Sequence, residues 1–108
     1  MTEQQFLELV DHTLDAIEDA VDACGAQAEI DRSGQVLQLE FDDGTRIIVN
    51  GQAPMRELWI AARAGGFHFR RDGERWVDTR SGEDMWHCLS RCVSQQSGEA
   101  VVLGPAGG

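Results

Sequence analysis

The sequence predicts an α/β (α+β) sandwich, with an N-terminal and a C-terminal helix packed on one face of an antiparallel sheet of about six strands. Amphipathic segments of helical period stand near both ends of the chain. Between them, short apolar runs alternate with turn signals such as Asp43-Gly44 and Asp72-Gly73, and such short connections imply antiparallel neighbours. Helices at both ends can cover one face of the sheet, which leaves the other face to solvent.

The first helix is predicted over residues 6–24. At about 100° per residue its apolar and acidic side chains separate onto opposite sides. The core side comprises Phe6, Val10, Thr13, Ile17, Ala20, Val21 and Cys24. The opposite side, which we call the acidic face, comprises Asp11, Asp15, Glu18, Asp19 and Asp22. Gly25 suits the C-terminal cap of this helix.

Six strands are predicted at residues 29–32, 36–41, 46–49, 57–62, 67–70 and 75–78, with residues 50–54 as a loop and Gly65-Gly66 ending the fourth run. The register of the fourth strand stays open. Side chains alternate along a strand, so Trp59 cannot share a face with Leu58 and Ile60. Either Trp59 or the aliphatic pair faces the helices, and an exposed Trp would be a typical interface anchor.

The second helix is predicted to begin with a capping box at Ser81-Gly82-Glu83-Asp84 and to end near Gly98. Its apolar stripe comprises Met85, Cys88, Leu89, Cys92 and Val93. Residues 100–103 form a short apolar tail and residues 104–108 are predicted to fray. A chain of 108 residues predicts one domain with a core from about residue 6 to 103.

Charge is distributed very unevenly along the chain. The formal net charge is -10, yet residues 1–31 contain nine acids and no Lys or Arg, which leaves -1 for the remainder. Such asymmetry argues against nucleic acid as a ligand and favours cations or a basic protein patch. Like charges at i,i+4 cost roughly 0.2–0.5 kcal/mol each. Carboxylates are hard ligands, so the row predicts a weak metal surface, with a merely soluble surface as the alternative. His12 borders the row as a possible extra ligand.

Enzyme motifs are absent from the sequence: it has no lysine, no GxSxG and no HExxH, so we expect no conventional active site. Cys88 and Cys92 fall on the apolar stripe and are predicted to be buried side chains rather than zinc ligands. Three cysteines are too few for a disulfide framework, which favours a reducing cytoplasm. No signal-peptide pattern and no membrane-length apolar run is found, so no membrane association is expected.

Two stretches carry a resemblance to a known family. "IIVNGQAPMRELWIAARAGGFHF" (47–69) and "RWVDTRSGEDMW" (75–86) follow the acidic helix in the expected order. With Asn50, Gln52, Pro54, Trp59 and the Gly65–Phe69 run in place, the chain from about residue 6 to 103 resembles the frataxin family, specifically its bacterial CyaY branch. One departure is the short, neutral turn at residues 25–28, where bacterial relatives often continue the acidic run.

The resemblance implies an iron-binding protein of iron–sulfur cluster assembly that binds Fe2+ or Fe3+ weakly and regulates the cysteine desulfurase, or senses or delivers iron. It implies the desulfurase and the scaffold protein as partners, a monomeric apo form and iron-driven oligomers. Carried over onto this chain, the acidic ridge comprises Asp15, Glu18, Asp19, Asp22, Glu29 and Asp31, of which Glu18, Asp19 and Asp22 also meet the partner. The sheet surface toward the partner comprises Asn50, Gln52 and Trp59. A purely regulatory acidic module and a ferroxidase are the alternatives.

Overall fold

Six strands lie between two helices in a computed structural model that describes residues 1–105. The elements in chain order are α1 (Glu3–Cys24), β1 (Ala28–Ser33), β2 (Val36–Phe41), β3 (Arg46–Gln52), a 3₁₀ turn (Ala53–Met55), β4 (Glu57–Ala62), β5 (Gly65–Asp72), β6 (Arg75–Asp78) and α2 (Met85–Ser97). Consecutive strands pair in chain order and all are antiparallel, so the sheet is a meander. The predicted fold class is confirmed.

Helix α1 begins three residues earlier than predicted because a capping box supports its first turn. The Thr2 hydroxyl accepts a hydrogen bond from the Gln5 N–H at 3.1 Å, and the Gln5 side chain accepts one from the Thr2 N–H at 2.9 Å. Gly25 ends the helix at φ 82°, as predicted. Leu14 joins the predicted buried residues, whereas Ala20 and Cys24 are only partly buried.

The loop predicted at residues 50–54 is wrong for its first three residues, which belong to β3. Asn50, Gly51 and Gln52 pair with Trp59, Leu58 and Glu57 of β4, and these ladder contacts outweigh the turn tendency of Asn-Gly. A Cβ on Gly51 would lie 3.0 Å from both Val10 methyl groups, so glycine lets α1 approach the sheet. Gly65 and Gly66 likewise open β5 rather than end the preceding run.

The capping box predicted at residues 81–84 is also wrong. Asp84 is the N-cap of α2, and its carboxylate accepts a hydrogen bond from the Trp86 N–H at 3.0 Å. Ser81 instead accepts from the Glu83 N–H within its own turn. Residues 79–81 form a turn, and Asp84 itself is extended because it forms a bridge with Val77 of β6, so the helix begins only after it. Gly98 ends α2 at φ 77°, as predicted.

One face of the sheet packs against both helices, and the other is open. Leu58 and Ile60 are buried beneath the helices, which places Trp59 on the open face and settles the register of β4. Cys88 and Cys92 are fully buried in the core, as predicted. No helix within residues 1–105 has the length and apolar character that crossing a membrane requires.

The C-terminal tail runs along α2 and is held by two serine hydroxyls. Ser94 accepts a hydrogen bond from the Val101 N–H at 3.0 Å, and Ser90 accepts one from the Leu103 N–H at 2.8 Å. Leu103 is buried in the core. Residues 104 and 105 have no regular secondary structure, and the rest of the predicted frayed end lies outside the described residues.

Candidate functional site

The acidic face of α1 is accessible to solvent along its length. The side chains of Asp15, Asp11 and Glu18 are 62%, 51% and 30% exposed. Asp19 and Asp22 are exposed, and their carboxylates make no hydrogen bond or ion pair with any other residue between positions 1 and 105. The face therefore has two parts, one engaged by the protein and one open to an external cation.

Arg32 on β1 contacts three of these carboxylates. Its guanidinium lies 2.8 Å from Asp15, 3.2 Å from Asp11 and 3.7 Å from Glu18. The Gln35 side chain also donates to Asp11. Burial lowers the pKa of Arg32, but the hydrogen bond to Asp15 and the nearby negative charges outweigh it and raise the pKa above its usual value.

The expectation of an unbalanced acidic face is therefore corrected, because a tertiary contact balances part of it. Arg32 is the first Lys or Arg in the chain and lies in the first strand after α1. That position is the one signal in the sequence that could have pointed to it. Spacing along the helix could not, because Arg32 is 17 residues from Asp15.

Glu29 and Asp31 do not join the acidic face of α1. Arg32 points toward α1, and strand alternation turns Glu29 and Asp31 to the opposite side of β1. They stand there across from Glu40 and Gln38 of β2. The structure thus separates the predicted metal residues into a helix group and a sheet-edge group.

The structure brings no ready-made metal cage together. In the part of the chain that the structure describes, no group of three or more His, Cys, Asp or Glu side chains is arranged to hold a metal ion. His12 is exposed and lines the cleft between α1 and the start of α2 with Trp86, and it is not among the residues that contact Arg32. Any cation on the acidic face would be held by few carboxylates and by water.

The thiols offer no alternative site. Cys88 and Cys92 are inaccessible to solvent, and Cys24 is only partly exposed at the end of α1. The interaction with Cys92, together with burial, raises the pKa of the Cys88 thiol. Arg91 lies 3.7 Å from the Cys88 sulfur, but both thiols lack the solvent access that a reactive thiolate requires.

On the open face of the sheet, Trp59 is held by two neighbours. Its indole N–H donates to the Glu57 carboxylate at 2.8 Å. Its ring stacks on His68 of β5, with ring centroids 4.2 Å apart and planes 8° from parallel. The His68 Nδ1 atom lies 3.9 Å from the same Glu57 oxygen. The orientation of the indole is therefore fixed by Glu57 and His68.

Polar and apolar side chains surround Trp59. Asn50 and Gln52 stand across from Trp59 and Glu57, and the Gln52 amide donates to the Asn50 side-chain oxygen at 3.1 Å. Val36, which stands across from Asn50 on β2, remains 41% exposed. We call this group the Trp59 patch: Val36, Asn50, Gln52, Glu57, Trp59 and His68.

Three members of the Trp59 patch, Asn50, Gln52 and Trp59, are predicted from the sequence, and the others are not. Glu57 and His68 could have been found once the cross-strand register was known, because both flank Trp59 through β4 and β5. The patch lies on the open face, whereas α1 covers the other face. The two candidate surfaces therefore lie on opposite sides of the sheet.

Comparison with known proteins gives a consistent set of relatives. The frataxin-like domain family matches residues 1–99. A protein of Ralstonia nicotianae is 59% identical over 107 residues, covering 95% of each chain. A protein of Cupriavidus necator is 56% identical over 108 residues, covering 96% of this chain and 97% of its own. Both are named iron-sulfur cluster assembly protein CyaY.

Solved structures agree on the fold. Frataxin from Psychromonas ingrahamii, described within the CyaY protein family, matches with a TM-score of 0.88 and 33% identity, covering 94% of this chain and 97% of its own. Trimeric frataxin from Saccharomyces cerevisiae, in a complex with ferrous iron, matches with a TM-score of 0.66 and 24% identity, covering 92% of this chain and 88% of its own. The yeast likeness concerns the fold alone.

Proposed function

The chain belongs to the frataxin-like family, in its CyaY branch, and we propose that it acts in iron–sulfur cluster assembly as an iron-binding protein that regulates the cysteine desulfurase, or senses or delivers iron. The observation that carries this proposal is the exposed carboxylate row of α1 in a chain whose relatives are named for cluster assembly. We propose the cytoplasm as its compartment, in keeping with three unpaired cysteines.

Iron is the cargo of the proposed function, held weakly as Fe2+ or Fe3+. Carboxylate oxygens suit hard cations, and the open end of the acidic face offers two of these groups, Asp19 and Asp22. Asp11, Asp15 and Glu18 continue the row toward the start of α1 but are already paired with Arg32, and Glu29 and Asp31 form a separate acidic edge. Loose coordination of this kind favours release, which a delivery or sensing role needs.

The two surfaces suit two contacts with one assembly. Asp19 and Asp22 supply negative charge that no cation within residues 1–105 balances, and Glu18, which Arg32 approaches at 3.7 Å, adjoins them as a third carboxylate for a basic patch on the desulfurase. Asn50, Gln52 and Trp59 supply a polar and aromatic surface for the complex of desulfurase and scaffold protein.

A second candidate function is a purely regulatory binding module, in which metal binding is incidental. It is favoured by the lack of any three-ligand metal group within residues 1–105. In that case the acidic face binds the desulfurase equally well without iron. Ferroxidase activity is the remaining alternative, and we propose no enzymatic role.

The deciding experiment measures Fe(II) binding without oxygen and desulfurase binding with and without iron. The test variant is Asp19→Asn with Asp22→Asn. The matched control is Asp42→Asn with Asp72→Asn, which changes the net charge equally at exposed positions off α1. The test variant should weaken both kinds of binding and the control neither.

Each outcome separates the candidates. The regulatory module is supported if the protein does not bind Fe(II) and binds the desulfurase equally well with and without iron. Normal binding of both ligands by the test variant overturns the role of the acidic face. Oxygen uptake on Fe(II) addition would identify a ferroxidase. Sizing with and without iron tests the proposed monomeric apo form and iron-driven oligomers.

A further inference from the structure

One half of the acidic face already holds a cation. Asp11, Asp15 and Glu18 come from successive turns of α1, and all three approach the guanidinium of Arg32 within 3.7 Å. The hairpin between β1 and β2 supplies two further contacts: the Arg32 Nε donates to the Gly34 carbonyl at 3.0 Å, and Gln35 donates to Asp11. The guanidinium is thus anchored from both the helix and the hairpin.

The size of this cation decides what else the carboxylates can hold. Hard metal ions bind oxygen at about 2.0–2.6 Å, closer than any of these carboxylates lies to the Arg32 nitrogens. The planar guanidinium therefore spreads the oxygens wider than a metal ion would. This accounts for the absence of a three-ligand metal group among the described residues, although three carboxylates converge there.

We propose that Arg32 is a built-in counter-ion that closes the Asp11–Asp15–Glu18 end of the acidic face to metal ions, so that external cations bind at the open end around Asp19 and Asp22. The statement that external cations bind around Asp19 and Asp22 rests on the proposed iron-binding function, whereas the closure by Arg32 does not. It assigns Arg32 as the residue that determines where on α1 a metal binds. Asp15 and Glu18 are accessible to solvent, yet their charge is already neutralised in part.

The test titrates the full-length apo protein with Fe(II) without oxygen, and with Mn2+ as a probe that does not oxidise. Three chains are compared: the wild type, Arg32→Met and Arg70→Met. Arg70 is exposed on β5 with no ion pair among the described residues, so its variant changes the net charge equally away from α1. Arg32→Met should gain a metal site, or bind at least about fivefold more tightly, since three carboxylates lose their cation. Arg70→Met should not.

Substitutions in the acidic face then locate the site. In the wild type, Asp22→Asn should weaken metal binding while Asp11→Asn leaves it unchanged. In the Arg32→Met background, Asp11→Asn should abolish the gain. Equal metal binding by Arg32→Met and Arg70→Met would overturn the proposal, and so would a wild-type site that depends on Asp11.

The inference and the proposed function fail in different ways. Metal binding by Arg32→Met but not by the wild type would refute the proposed iron binding and keep the closure by Arg32. Wild-type binding that requires Asp11 would keep the function and refute the closure. A thermal melt of each variant checks the fold, and Arg32→Lys serves if Arg32→Met unfolds: it keeps the charge, loses the planar fork and should give a smaller gain.

Discussion

The uneven engagement of the acidic face predicts that its two ends respond oppositely to neutralisation. We expect Asp19→Asn combined with Asp22→Asn to stabilise the apo protein at low salt. Neither residue has a cationic partner among the described residues, so the substitutions remove repulsion and break no ion pair. Asn and Asp have similar helix propensity, so the backbone contributes little to the difference.

The expected gain follows from contacts along α1. Like-charge pairs Asp15/Asp19, Glu18/Asp22 and Asp19/Asp22 each cost about 0.2–0.5 kcal/mol. Asp22 also lies in the last turn of α1, which contains no basic residue, and a negative charge there costs about 0.3–1 kcal/mol. Together these effects give about 1–2.5 kcal/mol, which corresponds to a rise in melting temperature of roughly 5–15 °C.

The matched variant, Asp11→Asn combined with Asp15→Asn, removes a similar number of like-charge pairs. It also breaks two ion pairs with Arg32 and weakens the hydrogen bond from Gln35. An exposed ion pair contributes about 0.2–1 kcal/mol, and leaving the partly buried guanidinium of Arg32 short of partners adds to the loss. We therefore expect no gain in melting temperature, or a decrease.

The assay is thermal unfolding followed by circular dichroism, on metal-free protein at about 10 mM and about 1 M salt. High salt should shrink the gain of the Asp19/Asp22 variant, because the Debye length falls from about 30 to about 3 Å. Equal stabilisation by the two variants at low salt would refute the part assigned to Arg32. No stabilisation of the Asp19/Asp22 variant would refute the repulsion itself.

Three further predictions concern other parts of the molecule. Trp59→Ala should cost about 2 kcal/mol in urea unfolding, since the ring is partly buried on the open face; a loss above about 4 kcal/mol would mean that it acts as a core residue. Replacing all three cysteines by alanine should leave Fe(II) binding intact at some cost in stability, and loss of iron by a folded variant would reveal a thiolate site. Ser90→Ala with Ser94→Ala should cost about 1–3 kcal/mol and speed amide exchange at Leu103; unchanged exchange would show that the tail is held otherwise.

Much of the fold could be predicted because its signals are local. The predicted bounds of β2, β4 and β6 match the observed strands, since turn residues such as Asp43-Gly44 separate them clearly. At that turn the Thr45 hydroxyl and N–H donate to Asp43, which lowers the pKa of its carboxyl group. Gly25 and Gly98 marked the ends of both helices because a left-handed residue is required there.

Errors arose where a distant segment competes with a local signal. Asn50-Gly51 has the composition of a turn, but pairing with β4 and the approach of Val10 keep it in the strand. Ser81 has the spacing of an N-cap, but the bridge between Val77 and Asp84 holds Asp84 in an extended conformation, so the helix begins only after Asp84. Such outcomes depend on contacts between residues that are far apart in sequence.

The same division holds for the two candidate surfaces. That α1 carries a row of carboxylates follows from the order of its residues, because helical periodicity assigns side chains to faces. Which of these carboxylates are already engaged depends on the folded chain, because Arg32 reaches Asp15 from a strand 17 residues away. Alternation along β4 allowed Trp59 to face either side of the sheet, and packing selected one side. Because Leu58 and Ile60 are buried beneath the helices, Trp59 and the other residues of β4 that alternate with them point toward the open face.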